Sequence, residues 1–109
     1  MRKGRPSGCC YCYIVECADG SFYTGWTTDP AERIRAHNKG RGSRYTRSRR
    51  PVMLVMLEIQ SDRSEAMKRE RAIKGMTRAR KQRLIDESSG AATALRRIEL
   101  QHPIAVRRE

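Results

Sequence analysis

The segment CYCYIVECADGSFYTGW constrains the chain most: two runs rich in Tyr, Val, Ile, Phe and Thr, residues 10–17 and 21–26, flank Ala18-Asp19-Gly20. β-Branched and aromatic residues favour extended backbone, and a glycine in the third loop position supplies the left-handed conformation that a three-residue, bulged hairpin turn demands. That turn sets Cys17 opposite Ser21. A two-residue Asp19-Gly20 loop would instead put Tyr13 and Tyr23 on opposite faces. In the three-residue register cross-strand partners share parity, so Tyr11, Tyr13 and Tyr23 lie on one face, with Tyr13 and Tyr23 close in space. Three of the chain's four tyrosines are therefore gathered in one hairpin.

The next segment, TTDPAERIRAHNKG, carries the marks of a helix start: Asp29 as N-cap, Pro30 at the first helical position and Glu32 three residues after the cap. Asn38 and Gly40 mark its end. Arg33 and His37 are four residues apart and share a face beside Ile34, the apolar anchor, so they can act on one object. Residues 39–51 hold six basic residues and no acid around Tyr45. A solvated loop is the ordinary reading of such a run, but an aromatic that can stack on a base favours nucleic-acid contact. Residues 52–59, VMLVMLEI, form a continuous apolar run of strand length and are predicted to be the central strand of a small sheet.

A second capped helix follows, with Asp62 and Glu65 in capping-box spacing, running to about Lys74. Its apolar positions are Ala66, Met67 and Ile73, and Glu70 falls on the same stripe. Desolvating an unpaired carboxylate is costly, so Glu70 needs a cation: an Arg or Lys ion pair, or a metal ion. Glu65, in the first turn, reads as a helix-end acid. A further helix is expected over residues 78–87 after Thr77. Residues 1–9 read as a basic, flexible leader, 10–87 as the folded domain and 88–109 as a C-terminal extension in which AATALRRIEL has helical character.

Composition narrows the partner. At 109 residues the chain suits one domain that buries roughly two thirds of its unfolded surface. Lys and Arg total 24 against 12 acidic residues, a formal charge of +12 that attracts polyanions. Nucleic acid is favoured over a membrane, because no apolar run approaches the ~20 residues of a spanning helix. A basic start with no apolar signal region behind it points to the cytoplasm. Cys9, Cys10, Cys12 and Cys17 crowd one segment, but neither His37 nor His102 has a paired spacing, and Cys9 alternates in facing with Cys10 and Cys12. Buried, reduced strand cysteines are expected rather than a zinc module.

Tyr11-Cys12-Tyr13, then Tyr23-Thr24-Gly25, then Arg33, His37 and the helix bearing Glu70, occur in an order and spacing that resembles the GIY-YIG nuclease superfamily, most closely its small single-domain bacterial branch. The likeness covers about residues 10–87. It implies an α+β fold, a small three-stranded antiparallel sheet flanked by helices, and a metal-dependent nuclease hydrolysing phosphodiester bonds in DNA, in repair or in processing of structured or single-stranded DNA. The resemblance makes Glu70 the ligand of one divalent metal, Mg2+ or Mn2+, and Arg33 the clamp on the scissile phosphate. Tyr13 and Tyr23 become paired hydroxyls near the attacking water, with Tyr23 and His37 sharing the task of accepting its proton. His37, with an unperturbed pKa near 6.5, is the easier base on this reading.

Gly25 is expected to be required where the strand end approaches the site. Tyr11, Lys39, Arg41, Arg44, Tyr45, Arg47, Arg49 and Arg50 are the candidate nucleic-acid contacts. DNA is the expected partner, RNA is not excluded, and a protein partner would supply specificity that one small module lacks. The alternative is a non-catalytic nucleic-acid-binding protein using the same fold and basic surface. It gives no reason for a carboxylate on a buried helix face.

Overall fold

The computed structural model describes residues 10–88, so the expected leader and the helical character of residues 91–100 lie outside the described residues. Strands β1 (Cys10–Glu16) and β2 (Phe22–Thr27) form the hairpin, with Glu16 opposite Phe22 and Cys17 N donating to Ser21 O at 2.8 Å. Gly20 has φ +87°, the left-handed value the three-residue loop requires. Helix α1 (Pro30–Asn38) follows, then a short helix α2 (Arg44–Arg47) inside the basic loop, strand β3 (Met53–Gln60), and helices α3 (Arg63–Lys74) and α4 (Arg78–Glu87). This is the α+β arrangement expected, three antiparallel strands flanked by helices. Among the described residues no helix is long and apolar enough to cross a membrane.

The sheet order is β2-β1-β3, which corrects one expectation: β3 is an edge strand and β1 is central. Its apolar run arises from burial on both faces, not from a central position. A register shift opposite Ile14 and Val15 pairs Ile14 with Met56 and Val15 with Leu54, so Val55 is the extra residue and all of Leu54, Val55, Met56 and Leu57 are buried.

One face of the sheet, with Cys10, Cys12 and Ile14, packs on Ala66 and Ile73 of α3 and on Leu84 and Ile85 of α4. The other, with Tyr13, Val15 and Cys17, packs on Ile34 of α1. Met67 does not belong to the buried stripe of α3; it is among the exposed apolar side chains, because the face in contact with the sheet is narrower than the apolar spacing implies. The Cys12 thiol donates to Ala66 O at 3.0 Å, and burial, then the charges of Glu58 and Glu70, push its pKa up to about 12. A thiol held protonated in this way is a core group, a poor metal ligand.

Local chemistry fixes the helix starts. Asp29 accepts from Glu32 N at 3.1 Å, Asp62 from Glu65 N at 2.8 Å and Thr77 from Arg80 N at 3.2 Å. At the far end of α1, Asn38 acts as a substitute strand neighbour. Its side chain donates to Val52 O at 3.2 Å and accepts from Val52 N at 2.7 Å, tying the helix to the entry of β3.

Candidate active site

Tyr13 is the centre of the candidate site. It pairs across the hairpin with Gly25, and a Cβ on Gly25 would stand 2.5 Å from the Tyr13 hydroxyl and 2.7 Å from Cζ. The bare glycine therefore lets the phenol lie over β2. Beneath α1 this hydroxyl accepts from Arg33 Nε at 3.3 Å and meets His37 Nε2 at 2.8 Å, so the spacing of Arg33 and His37 on one helix face brings both to a single oxygen.

The proton positions follow from the donors. Arg33 can only donate, so the buried Tyr13 hydroxyl offers its own hydrogen to His37 Nε2, and His37 then carries its proton on Nδ1, donating to Thr46 Oγ1 at 2.8 Å. Ser43, the N-cap of α2, lies at 3.0 Å from Thr46 Oγ1 and ends the chain of hydrogen bonds.

Burial sets the electrostatics. His37 is fully buried, and desolvation followed by the Arg33 charge depresses its pKa to about 4. The premise of an ordinary histidine pKa therefore fails here. His37 is neutral near pH 7, with both ring nitrogens committed to protein hydroxyls, which suits it to orienting Tyr13 rather than to meeting a water directly. Tyr13 is pushed up to about 12, by burial against the opposing help of Arg33, and stays protonated. Arg33 also donates from Nη2 to Gly42 O at 2.8 Å; burial works against its charge, but the Tyr13 and Tyr23 hydroxyls outweigh it and favour the charged form.

Tyr23 is half-buried on the same face as Tyr13. Its ring meets His37 edge-on at 5.3 Å between centroids and stacks on Tyr45 at 5.9 Å and 22°. Tyr45 in turn lies under the Arg49 guanidinium, 3.9 Å from the ring centroid. Arg49 is fixed by Asp19 Oδ2 at 3.1 Å and Tyr45 O at 2.8 Å, so the hairpin turn and the basic loop hold each other. The Tyr45 ring is thus already engaged by Tyr23 and Arg49.

Arg50 donates to Arg47 O and Asn38 O. Tyr11 packs against the same core cluster as Tyr23, whereas Lys39, Arg41, Arg44 and Arg47 are exposed.

Glu70 reaches the site from α3. Its side chain is 22% exposed and its carboxylate pairs with Lys74 Nζ at 3.3 Å, the ion-pair partner among the alternatives considered for it. Its charge acts on both Tyr13 and Cys12. Lys74 Nζ lies 5.8 Å from the Tyr23 ring centroid and so joins Glu70 to the tyrosines. Among the described residues no group of three or more His, Cys, Asp or Glu is gathered that could hold a metal by itself.

Lys74, Gly42, Ser43 and Thr46 were not foreseen from sequence. A Cβ on Gly42 would run into His37 Nδ1 and lie 2.7 Å from its Cα, so the loop closes on the imidazole only because position 42 is bare. Lys74, four residues beyond Glu70, was the one with a usable signal.

Comparisons with known proteins agree with the α+β fold. A family model described as the GIY-YIG catalytic domain matches residues 9–83. A UPF0213 protein of Haloquadratum walsbyi is 53% identical over 79 residues, covering 72% of this chain and 89% of that relative. Another, from Desulfotalea psychrophila, is 55% identical over 86 residues, covering 78% of each. The solution NMR structure of a protein from E. faecalis is similar at TM-score 0.51 and 40% identity, over 78% of this chain and 88% of that one.

Proposed function

Since the chain belongs to the GIY-YIG catalytic domain family, we propose that it is a nuclease hydrolysing phosphodiester bonds in DNA, with one divalent cation, Mg2+ or Mn2+, at Glu70, in repair or processing of structured or single-stranded DNA. The observation that carries this reading is the Tyr13 hydroxyl, held between Arg33 at 3.3 Å and His37 at 2.8 Å over a bare glycine. Nucleic-acid binding alone requires no such buried arrangement. Reduced, buried Cys10, Cys12 and Cys17 favour a reducing compartment, the cytoplasm.

Glu70 fits a hard cation. It is a partly exposed carboxylate close enough to act on Tyr13, and Mg2+ commonly keeps several waters while using one or two carboxylates and substrate phosphates. When bound, the cation would supply Lewis-acid stabilisation of the charge that develops on the phosphate. Arg33 adds a second positive charge at the tyrosine pair, and we assign Tyr23, half-buried on the same face as Tyr13, as acceptor of the attacking water's proton. His37 holds its proton at Nδ1 and fixes Tyr13 through Nε2, while its ring supports Tyr23 edge-on.

A second reading, binding without cleavage, is favoured by one observation: Lys74 already neutralises Glu70. The two separate in an assay with labelled single-stranded, duplex and branched DNA, in Mg2+, Mn2+ or EDTA, with Glu70→Ala alongside. Metal-dependent cleavage lost in Glu70→Ala, with binding retained, supports the nuclease. Salt-sensitive binding with no cleavage in any condition supports the binding protein.

A further inference from the structure

Both hydroxyl groups that meet the His37 imidazole belong to buried residues, Tyr13 at 1% and Thr46 at 0% exposure, so water cannot replace a missing hydrogen bond at either nitrogen. The two ends of the ring are not equivalent. At Nε2 the Tyr13 oxygen already accepts from Arg33 Nε, a group that can only donate, and these two are its hydrogen-bond partners among the described residues. A proton on Nε2 would leave the Tyr13 hydrogen without an acceptor. At Nδ1 the Thr46 oxygen can accept, because its own hydrogen has a place to go: Ser43 Oγ lies at 3.0 Å and Ser43 O at 3.4 Å. Thr46 N in turn donates to Ser43 Oγ at 3.1 Å, which holds that pair in place. Every hydrogen then runs one way, from Tyr13 through His37 and Thr46 to Ser43.

We propose that Thr46 is a positioning residue: its hydroxyl holds the His37 proton on Nδ1 and, through Nε2 and the Tyr13 hydroxyl, fixes the Arg33 guanidinium beside the tyrosine pair. The effect on cleavage rests on the nuclease reading; the hold on His37 does not. In α2 the neighbours of Thr46 divide the work, since Tyr45 stacks on Tyr23 while Arg44 and Arg47 are exposed. One four-residue helix thus backs Tyr23 through Tyr45, and Tyr13 through Thr46 and His37. Serine keeps the oxygen that this role requires, whereas valine keeps the branched shape and removes the acceptor. With valine either the Nδ1 hydrogen has no acceptor, or the proton moves to Nε2 and the Tyr13 hydrogen has none.

The test reads the imidazole directly, by nitrogen and proton NMR near neutral pH on the full chain carrying His102→Gln, which leaves His37 as its one histidine. The otherwise unaltered protein should show Nδ1 protonated, with the hydrogen-bonded proton downfield and slow to exchange, and Nε2 unprotonated. Thr46→Ser should keep that resonance, and Thr46→Val should move it or broaden it away. Thr24→Val is the control for a lost buried hydroxyl, because Thr24 Oγ1 is buried with no hydrogen-bond partner, and it should leave the resonance in place. The single-turnover cleavage rate in Mn2+ should fall about tenfold or more in Thr46→Val, with affinity in EDTA within about threefold, and Thr46→Ser should restore it.

Protonation of Nε2 in the unaltered protein, or equal shifts in Thr46→Val and Thr24→Val, would overturn the hold on His37. Should Thr46→Val fail to fold by circular dichroism, the spectra of the unaltered protein and Thr46→Ser still decide: a shared proton on Nδ1 supports the proposal, and one on Nε2 overturns it. A moved resonance in Thr46→Val without cleavage by the unaltered protein removes the nuclease reading and keeps the hold. Cleavage undiminished in Thr46→Val does the reverse, sparing the nuclease reading and overturning the positioning role.

Discussion

Between α1 and β3, Arg49 and Arg50 give their guanidinium groups to Asp19, Tyr45 O, Arg47 O and Asn38 O, whereas on α3 Lys74 meets one carboxylate, that of Glu70, and on α4 Arg78 meets Gly20 O over the Phe22 ring. Both stretches read as positive charge in the sequence. In the loop, the charge of Arg49 is a clamp that ties the hairpin turn to Tyr45, which stacks on Tyr23, while Gly42 and Thr46 of the same loop hold Arg33 and His37. On α3 the charge of Lys74 is matched by a carboxylate instead. A run of arginines therefore measures neither exposure nor affinity; what matters is how many of their donors the backbone already uses.

The comparison breaks first at Gly42. If the loop is structural, Gly42→Ala should destabilise by about 3 kcal/mol or more, since the clash is with the backbone and ring of a buried residue rather than with a flexible side chain. Denaturant melts check this; a change below about 1 kcal/mol would mean the loop is free to move away from His37.

A comparable effect comes from pH. His37 has a folded pKa of about 4 against an ordinary 6.5, so the unfolded chain binds the extra proton. Its contribution is whole above pH 6.5 and lost as pH falls from there towards 4, amounting to about 3 kcal/mol by linkage. His37→Gln should flatten that part of the stability curve.

The smallest effect expected is at Tyr45. Because its ring backs Tyr23, Tyr45→Ala should lower the single-turnover cleavage rate about tenfold while binding changes less than about threefold, and Tyr45→Phe should behave as the unaltered protein. Loss of binding instead, at an unchanged rate, would make Tyr45 a base-stacking contact.

Capping chemistry is local and was legible. Asp29, Asp62 and Thr77 start three helices where sequence placed them, and Gly20 fixes the hairpin register that sets Tyr13 and Tyr23 on one face. The edge position of β3 was not legible, because strand order depends on pairing between distant segments, and a run buried by helices on both faces resembles a central strand. The same limit applies to His37. Its spacing from Arg33 could be read, but its burial is produced by Gly42 and Thr46 closing from a loop whose composition suggested nucleic-acid contact rather than packing. Glu70 was legible as a carboxylate needing a cation, and Lys74 is the partner that four-residue spacing supplied.

The most direct measurement is the single-turnover cleavage rate of one labelled single-stranded oligonucleotide in Mn2+, for the unaltered protein and for Glu70→Gln, with binding of both measured in EDTA. The account predicts a rate at least about 100-fold lower in Glu70→Gln, with affinity within about threefold, because the carboxylate serves the charge developing in the transition state. An unchanged rate in Glu70→Gln, or no cleavage by the unaltered protein, would contradict it.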